Sequence, residues 1–278
     1  MYLTGLGTYL PDETVTGAEI AAASGIPESV VTEKMGIREK RVCPPDADHA
    51  TAMSCAAGRR ALADAGIPAD ALDLVVYHGS EYKDHVVWSA AAAVCERLGA
   101  SEAYAHESYS LCAGAPVAVR HTAAQLRTGD VDRALLVAAS REEDLVDYEN
   151  EDASFMFNFG SGGSAFVLEA AGSAPESPGA GEDAPETTGT STDAAEADGT
   201  TEASGGTDET STTDDGAEAA TESSATGGRR PSERARARVR ASAALTDGSF
   251  ADDVVMPAGG SVHPPSVETV RAGMHTLD

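Results

Sequence analysis

The sequence predicts an α/β fold, in which a parallel sheet is covered by crossover helices, on the basis of two observations. Short apolar runs with β-branched residues alternate along residues 1–171 with Ala-rich stretches of helical length. The Ala-rich stretches end at or near glycine, the residue most often found just past a helix. A repeated order of strand, helix and strand is typical of parallel sheets with crossover helices.

The predicted elements follow from these two signals between residues 52 and 169. In chain order they are a helix over 52–65, a strand over 72–77, a helix over 86–98, a strand over 103–108, a helix over 113–127, and strands over 134–139 and 163–169. Gly66, Gly99 and Gly129 follow the three helices. Residues 1–171 are therefore predicted to form one domain.

The composition changes abruptly after residue 171. Residues 172–228 hold fourteen acidic and no basic side chains and almost no large apolar residue, so burial cannot offset the entropy of ordering them. We predict an acidic, low-complexity, disordered insertion over residues 172–238. Six arginines lie between Arg229 and Arg240. They favour an edge strand with a charged face over residues 235–245, with a phosphate-binding patch as the alternative.

The charge balance bears on partners and on the cell compartment. The 278 residues carry a formal net charge of −27, so a cationic face for nucleic acid is not expected. Only three of the basic residues are lysines, which suits a salt-rich cytosol of a halophile, although an acidic tail is the simpler alternative. No apolar window is long enough for a membrane span and no basic leader precedes Leu10, so a cytoplasmic protein is predicted.

Of the four cysteines, one lies in a sequence context that favours reactivity and three do not. Cys43, Cys55 and Cys95 show no C-x-x-C spacing, so no metal site or disulfide framework is expected. Cys112 lies between a predicted strand and a helix that begins with small residues, a position that favours the thiolate form. The small residues also let a backbone N–H approach the carbonyl oxygen of a bound thioester. An inert core cysteine is the alternative interpretation.

Several short segments occur in an order that is characteristic of one enzyme family. They are GLGTYLP at residues 5–11, VT at 31–32 with GIRE at 36–39, AGI at 65–67, SLCAG at 110–114 and FGSGGSA at 159–165. Together these segments resemble β-ketoacyl-acyl-carrier-protein synthase III, the condensing enzyme that starts fatty-acid synthesis. DGS at 247–249 and MPAGG at 256–260 resemble the loop before the second half of that family. The resemblance covers about residues 1–171 and 240–278.

The resemblance implies a thiolase-like fold of two similar βαβαβ halves, with residues 239–278 as the beginning of the second half. It implies a homodimer without a cofactor, for which acyl-CoA is a substrate and acyl carrier protein a possible partner. Cys112 matches the family's nucleophile, which takes an acyl group from acyl-CoA. A second substrate then attacks the thioester, and a carbon–carbon bond forms by Claisen condensation.

The sequence departs from the family where the rest of the catalytic machinery is expected. The family's second half supplies a histidine and an asparagine, and no residue of this sequence lies in that region. His263 and His275 are not expected to replace them, since one lies in a Pro-rich loop and the other near the chain end. We therefore expect a fragment, a truncated product, or a chain whose partner supplies the missing half. A non-catalytic subunit is the alternative.

Three further residues are site candidates through resemblance. Lys34 occupies a position associated with CoA contact in the family, and Arg38 is a second candidate for a CoA phosphate. A surface ion pair is the alternative for Arg38, and a structural role without CoA contact is the alternative for Lys34. Glu81, in the segment GSE, resembles the general acid/base of hydroxymethylglutaryl-CoA synthases. It can abstract a proton if partial burial raises its pKa, and an ordinary loop carboxylate beside Lys83 is the alternative.

Overall fold

The centre of the fold is a six-stranded mixed sheet. The computed structural model describes residues 1–172, 230–243 and 255–276. The strands of the sheet are β1 (Tyr2–Tyr9), β4 (Leu74–Tyr77), β5 (Tyr104–Glu107), β6 (Arg133–Ser140), β7 (Gly162–Glu169) and β8 (Ala237–Arg238). Their order is β5-β4-β6-β7-β1-β8, while β2 (Thr14–Thr16) and β3 (Glu39–Arg41) form a separate two-stranded ribbon.

The strand directions show where the predicted parallel sheet is right and where it is wrong. β4 runs parallel to both β5 and β6. β7 runs antiparallel to β6 and to β1, which contradicts an all-parallel arrangement. The reason lies in the connection from β6 to β7, which contains only the short 3₁₀ turns Glu142–Leu145 and Glu151–Met156. Without a crossover helix the chain turns back beside the strand it has just left.

Helices cover the two faces of the sheet unequally. They are α1 (Gly17–Ser24), α2 (Ala50–Ala65), α3 (Ala90–Leu98), α4 (Gly114–Thr128), α5 (Pro231–Arg234) and α6 (Val267–Arg271). Val75 and Tyr77 of β4 pack with α2 and α3 on one face. Leu74 and Val76 point to the other face and pack with α4. The alternation of a buried strand therefore places α4 alone opposite the α2 and α3 layer.

Most predicted elements have the observed type, but the helix predicted over residues 86–98 starts too early. It begins at Ala90, after Ser89, whose side chain accepts a hydrogen bond from the N–H of Ala92. Val86 and Val87 precede this cap as an exposed loop, and Val87 has a φ of 50°. Apolar residues ahead of a serine cap were thus counted into the helix, although they do not pack against the sheet.

The chain returns to the sheet through a buried ion pair. The carboxylate of Glu169, at the end of β7, is fully buried and accepts hydrogen bonds from Arg234 at 2.6 and 2.7 Å. Arg133 lies 3.5 Å from the same carboxylate. β8 then pairs antiparallel with the start of β1. The edge strand expected over residues 235–245 is confirmed in type, and within the described residues 235–243 it is limited to Ala237–Arg238.

The predicted domain boundaries meet the structure only in part. Residues 230–238 contain α5 and β8 and pack with residues 1–172, so the insertion ends before residue 238. Residues 173–229 lie outside the described residues, where disorder stays a prediction. In the predicted start of a second half, over 239–278, α6 is the one helix among the described residues. No helix in the described ranges is long and apolar enough to cross a membrane.

Candidate active site

Cys112 lies in the tight turn between β5 and α4. The turn is a 3₁₀ segment, Leu111–Ala113, and the thiol of Cys112 is exposed. No side chain caps the start of α4 at Ala113. The N–H groups of Ala113 and Gly114 donate to the carbonyl oxygens of Ser110 and Leu111, and Pro116 in the first turn has no N–H. Leu111 has a φ of 45°, a strained conformation for a residue with a side chain. The predicted position at a helix N-terminus is thus observed, and the core-cysteine alternative does not hold.

Gly114 allows α4 to start directly against the end of β4. A Cβ atom at this position would lie 2.5 Å from the carbonyl oxygen of His78 and 3.8 Å from its Nδ1 atom. A larger residue would push the first turn, and Cys112 with it, away from the sheet. The small residues after Cys112 therefore determine how close its sulfur lies to the carboxyl ends of the strands.

His78 is a buried histidine beside this turn that sequence reasoning missed. Its ring lies 5.4 Å from that of Phe166, and only 5% of the residue is exposed. Burial lowers the pKa of His78, so its imidazole is neutral near neutral pH. Its Nε2 atom has no hydrogen-bond partner within the described part of the chain. A histidine that directly follows an apolar strand was the only available signal.

A buried ionic cluster fixes the loop that carries Glu81. The ammonium group of Lys83 lies 3.1 Å from the carboxylate of Glu107 and also donates to the hydroxyl of Tyr109. Glu107 in turn accepts hydrogen bonds from the N–H groups of Ala90 and Ala91 at the start of α3. Burial alone raises the pKa of Glu107, but these donors outweigh it and the pKa is lowered. Lys83 therefore pairs with Glu107 and leaves Glu81 without a described cationic partner.

Glu81 itself does not meet the condition set for it as a proton acceptor. Its side chain is exposed at the surface of the loop, so partial burial is not present in this chain. Ser80 accepts a hydrogen bond from the N–H of Tyr82 at 3.0 Å and shapes the loop locally. The general acid/base role stays a prediction that depends on what else covers this surface.

Lys34 and Arg38 are both exposed on the segment before β3. Lys34 ends a short π-helical turn, Val30–Lys34. Neither residue forms an ion pair in the described ranges, so the surface ion-pair alternative is not observed. No described contact links them to the Cys112 turn. Their role in binding CoA stays a prediction.

The glycine-rich segment FGSGGSA serves packing. The backbone oxygen of Phe159 accepts a hydrogen bond from Lys40 at 2.6 Å. Burial lowers the pKa of Lys40 to about 8, against the attraction of Glu143 at 3.9 Å. A Cβ atom at Gly163 would lie 2.7 Å from the carbonyl oxygen of Met53. This segment therefore lets β7 pass close to the first turn of α2.

The two C-terminal histidines lie away from Cys112 in the described contacts. His263 is exposed, and its carbonyl oxygen accepts a hydrogen bond from the N–H of Gly259. The Nε2 atom of His275 lies 2.9 Å from the hydroxyl of Thr269 on α6. Among the described residues no cluster of three or more histidine, cysteine or acidic side chains is arranged to hold a metal ion.

Comparisons with known proteins point to one family. Residues 108–180 match the family described as 3-oxoacyl-[acyl-carrier-protein (ACP)] synthase III. A β-ketoacyl-[acyl-carrier-protein] synthase III of Erythrobacter litoralis is 31% identical over 177 residues, which cover 64% of this chain and 54% of that protein. Over these residues the chain is similar to the synthases III. The match includes Cys112 and its turn.

Solved structures place this synthase III relative in the thiolase-like fold. The priming β-ketosynthase from the R1128 polyketide biosynthetic pathway superposes with a TM-score of 0.56 at 30% identity, covering 61% of this chain and 49% of that one. The 3-oxoacyl-[acyl-carrier-protein] synthase III of Aquifex aeolicus gives a TM-score of 0.56 at 24% identity, covering 60% and 53%. The chain thus spans about half the length of the synthases III it matches.

Proposed function

We propose that this chain carries the acyl-accepting half of a condensing acyltransferase, with Cys112 as the nucleophile. The observation that carries the proposal is an exposed thiol at the uncapped N-terminus of a fifteen-residue helix. The positive end of the helix dipole stabilises negative charge on the sulfur. The names of the matched relatives support 3-oxoacyl-[acyl-carrier-protein] synthesis as the class of reaction, in fatty-acid or related lipid biosynthesis.

The first step transfers an acyl group from acyl-CoA to Cys112. The thiolate attacks the carbonyl carbon of the thioester, and the carbonyl oxygen becomes an oxyanion. A backbone N–H of the turn that carries Cys112 is the donor that we propose for that oxyanion. The carbon–sulfur bond to CoA then breaks, the CoA thiolate takes up a proton, and the acyl group remains on Cys112.

We assign the second step, carbon–carbon bond formation, to the assembled protein. Leu111, Cys112 and Ala113 are all exposed, so a substrate pocket requires cover from residues outside the described ranges or from a partner chain. Decarboxylation of the second substrate, a β-carboxyacyl thioester on CoA or acyl carrier protein, releases CO₂ and leaves a carbanion. The carbanion attacks the carbonyl carbon of the acyl-enzyme, the bond from that carbon to the sulfur of Cys112 breaks, and the thiolate is released. No cofactor takes part in either step.

A hydroxymethylglutaryl-CoA synthase-like reaction is the second candidate. The ion pair of Lys83 with Glu107 holds the loop rigidly enough to present Glu81 at the surface. In that reaction the carboxylate removes a proton from the acyl donor, and a decarboxylation is not needed. Glu81 must then be covered by a neighbouring chain, since exposed carboxylates are weak bases.

The test is intact-mass spectrometry followed by product analysis. Potassium chloride should be varied up to molar concentration, because a protein of a salt-rich cytosol is expected to be active at high salt. Acetyl-CoA and longer acyl-CoAs should each be tried as donors, and we expect one acyl group per chain. A condensation product that persists in Glu81→Ala excludes the second candidate. Absence of any adduct across the acyl-CoAs would overturn the acyl-accepting role itself.

A homodimer is proposed as the working form. β5 is the last strand of the sheet, and its outer edge has no strand partner in the described chain. The exposed apolar residues Val86 and Val87 lie on the neighbouring loop. Unprotected strand edges and exposed apolar loops are typical contact surfaces between subunits. Antiparallel pairing of two β5 strands joins the sheets of both copies.

Val87→Asp is expected to convert this dimer to monomers, because a carboxylate is costly to bury in an apolar contact. Val262→Asp is the matched control, since Val262 is also highly exposed but lies on the C-terminal segment. Sedimentation velocity distinguishes the two species. An unchanged dimer in Val87→Asp, or a monomeric wild type, would contradict the proposed contact.

A further inference from the structure

A cavity of about 260 Å³ lies at the end of α4 that is remote from Cys112. Three arginines line it: Arg127 from the last turn of α4, and Arg238 and Arg240 from β8 and the residue stretch after it. The remaining lining residues are Met1, Ala123, Val239, Ala241 and Ser242. The lining therefore contains positive side chains and no carboxylate.

These three arginines differ from the arginines that precede them in the chain. Arg234 is bound by the buried carboxylate of Glu169, and Arg236 pairs with Asp64. Neither Arg127, Arg238 nor Arg240 forms an ion pair in the described ranges. The arginine-rich stretch thus divides into a part that fastens the chain to the sheet and a part that faces the cavity.

A cationic cavity without a carboxylate among its described lining residues is unusual in a chain of this charge. The net charge is −27, so carboxylates suitable as partners for arginine are abundant elsewhere. Burial lowers the pKa of the Met1 amino group, and the charges of Arg238 and Arg127 lower it further. An anion in the cavity relieves the repulsion.

We propose that the cavity formed by Arg127, Arg238 and Arg240 binds a phosphate-type oxyanion, either inorganic phosphate or the phosphate of a monoester. Guanidinium groups present paired N–H donors that match the spacing of phosphate oxygens. A cavity of about 260 Å³ has room for one such group with water around it. The site is independent of the acyl transfer proposed for Cys112.

The bound anion joins α4 to the segment after β8. Arg127 belongs to α4, whereas Arg238 and Arg240 belong to the segment that returns to the edge of the sheet. In the described contacts Arg120 donates to the carbonyl oxygen of Ser242 at 2.9 Å and already ties the same segment to α4. The fifteen residues of α4 span about 22 Å, so the anion does not approach Cys112.

The test is a titration of the whole chain with inorganic phosphate at constant potassium chloride, followed by ³¹P NMR line broadening and by thermal unfolding. Millimolar phosphate should bind and raise the Tm by about 2–4 °C. In the double variant Arg238→Gln, Arg240→Gln we expect affinity to fall at least about tenfold and the Tm shift to disappear.

Arg271→Gln is the control for general loss of positive charge, because Arg271 is exposed on α6 and does not line the cavity. It should bind phosphate as the wild type does. A nucleoside monophosphate that competes with phosphate would identify a monoester as the ligand. If it does not compete, inorganic phosphate is the ligand. Equal binding by the double variant and the control would overturn the proposal. Binding of an acidic peptide without binding of phosphate would also overturn it.

Discussion

Cys112→Ala is expected to abolish acyl-enzyme formation and to lower any condensing activity by at least roughly a thousandfold. The effect should be complete because no other thiol is placed to replace it. Cys43 and Cys55 are buried, and burial raises the pKa of both thiols. Cys95 is half-buried, and its sulfur donates to the carbonyl oxygen of Ala100 at 3.1 Å. Cys112 alone is exposed among the four cysteines.

The measurement is the mass of the intact chain after incubation with the acyl-CoA that labels the wild type. Cys95→Ala is the matched control, since it makes the same substitution at a cysteine on α3. It should keep the full mass increase and should lose only stability. An acyl adduct that survives in Cys112→Ala would contradict the assignment of the nucleophile.

The position of Cys112 in a turn before α4 could be predicted from sequence because its signal is local. A strand, a cysteine and a run of small residues stand next to each other, and the helix starts where the small residues begin. The first turn of α4 and the exposure of Cys112 follow from that order. The positive φ of Leu111 could not be predicted, because it depends on how α4 packs against β4.

Long-range partners were beyond sequence reasoning for a physical reason. The fully buried Glu169 pairs with Arg234, which follows the acidic insertion in the sequence. No local sequence pattern around either residue indicates this pair. Lys83 and Glu107 are joined in the same way by the packing of two neighbouring strand ends. Buried charges of this kind are tolerated only when paired, so they become visible once the fold is known.

The start of α3 illustrates the opposite error. Val86 and Val87 are apolar, so they were assigned to the helix, yet both are exposed. Apolar character predicts burial within one chain, but it does not separate a core residue from a residue that another subunit covers. The exposure of these two apolar residues therefore supports the proposed dimer contact on the same loop.

Gly7→Ala is expected to destabilise the fold by about 3 kcal/mol or more, the largest effect we expect from a single methyl group. β1 crosses α2 with almost no space between the two backbones. A Cβ atom at Gly7 would overlap the carbonyl oxygen of Ala57 and lie 2.5 Å from the amide nitrogen of Ala61. Both obstacles are helix backbone, so the strain cannot be relieved by moving a flexible side chain.

Gly172→Ala is the matched control, because a Cβ atom at Gly172 meets nothing within 4 Å. It should leave the free energy of unfolding unchanged or slightly raised. Urea unfolding followed by circular dichroism compares both variants with the wild type, and failure of Gly7→Ala to fold would agree with the prediction. Equal midpoints for the two variants would show that β1 and α2 can separate freely.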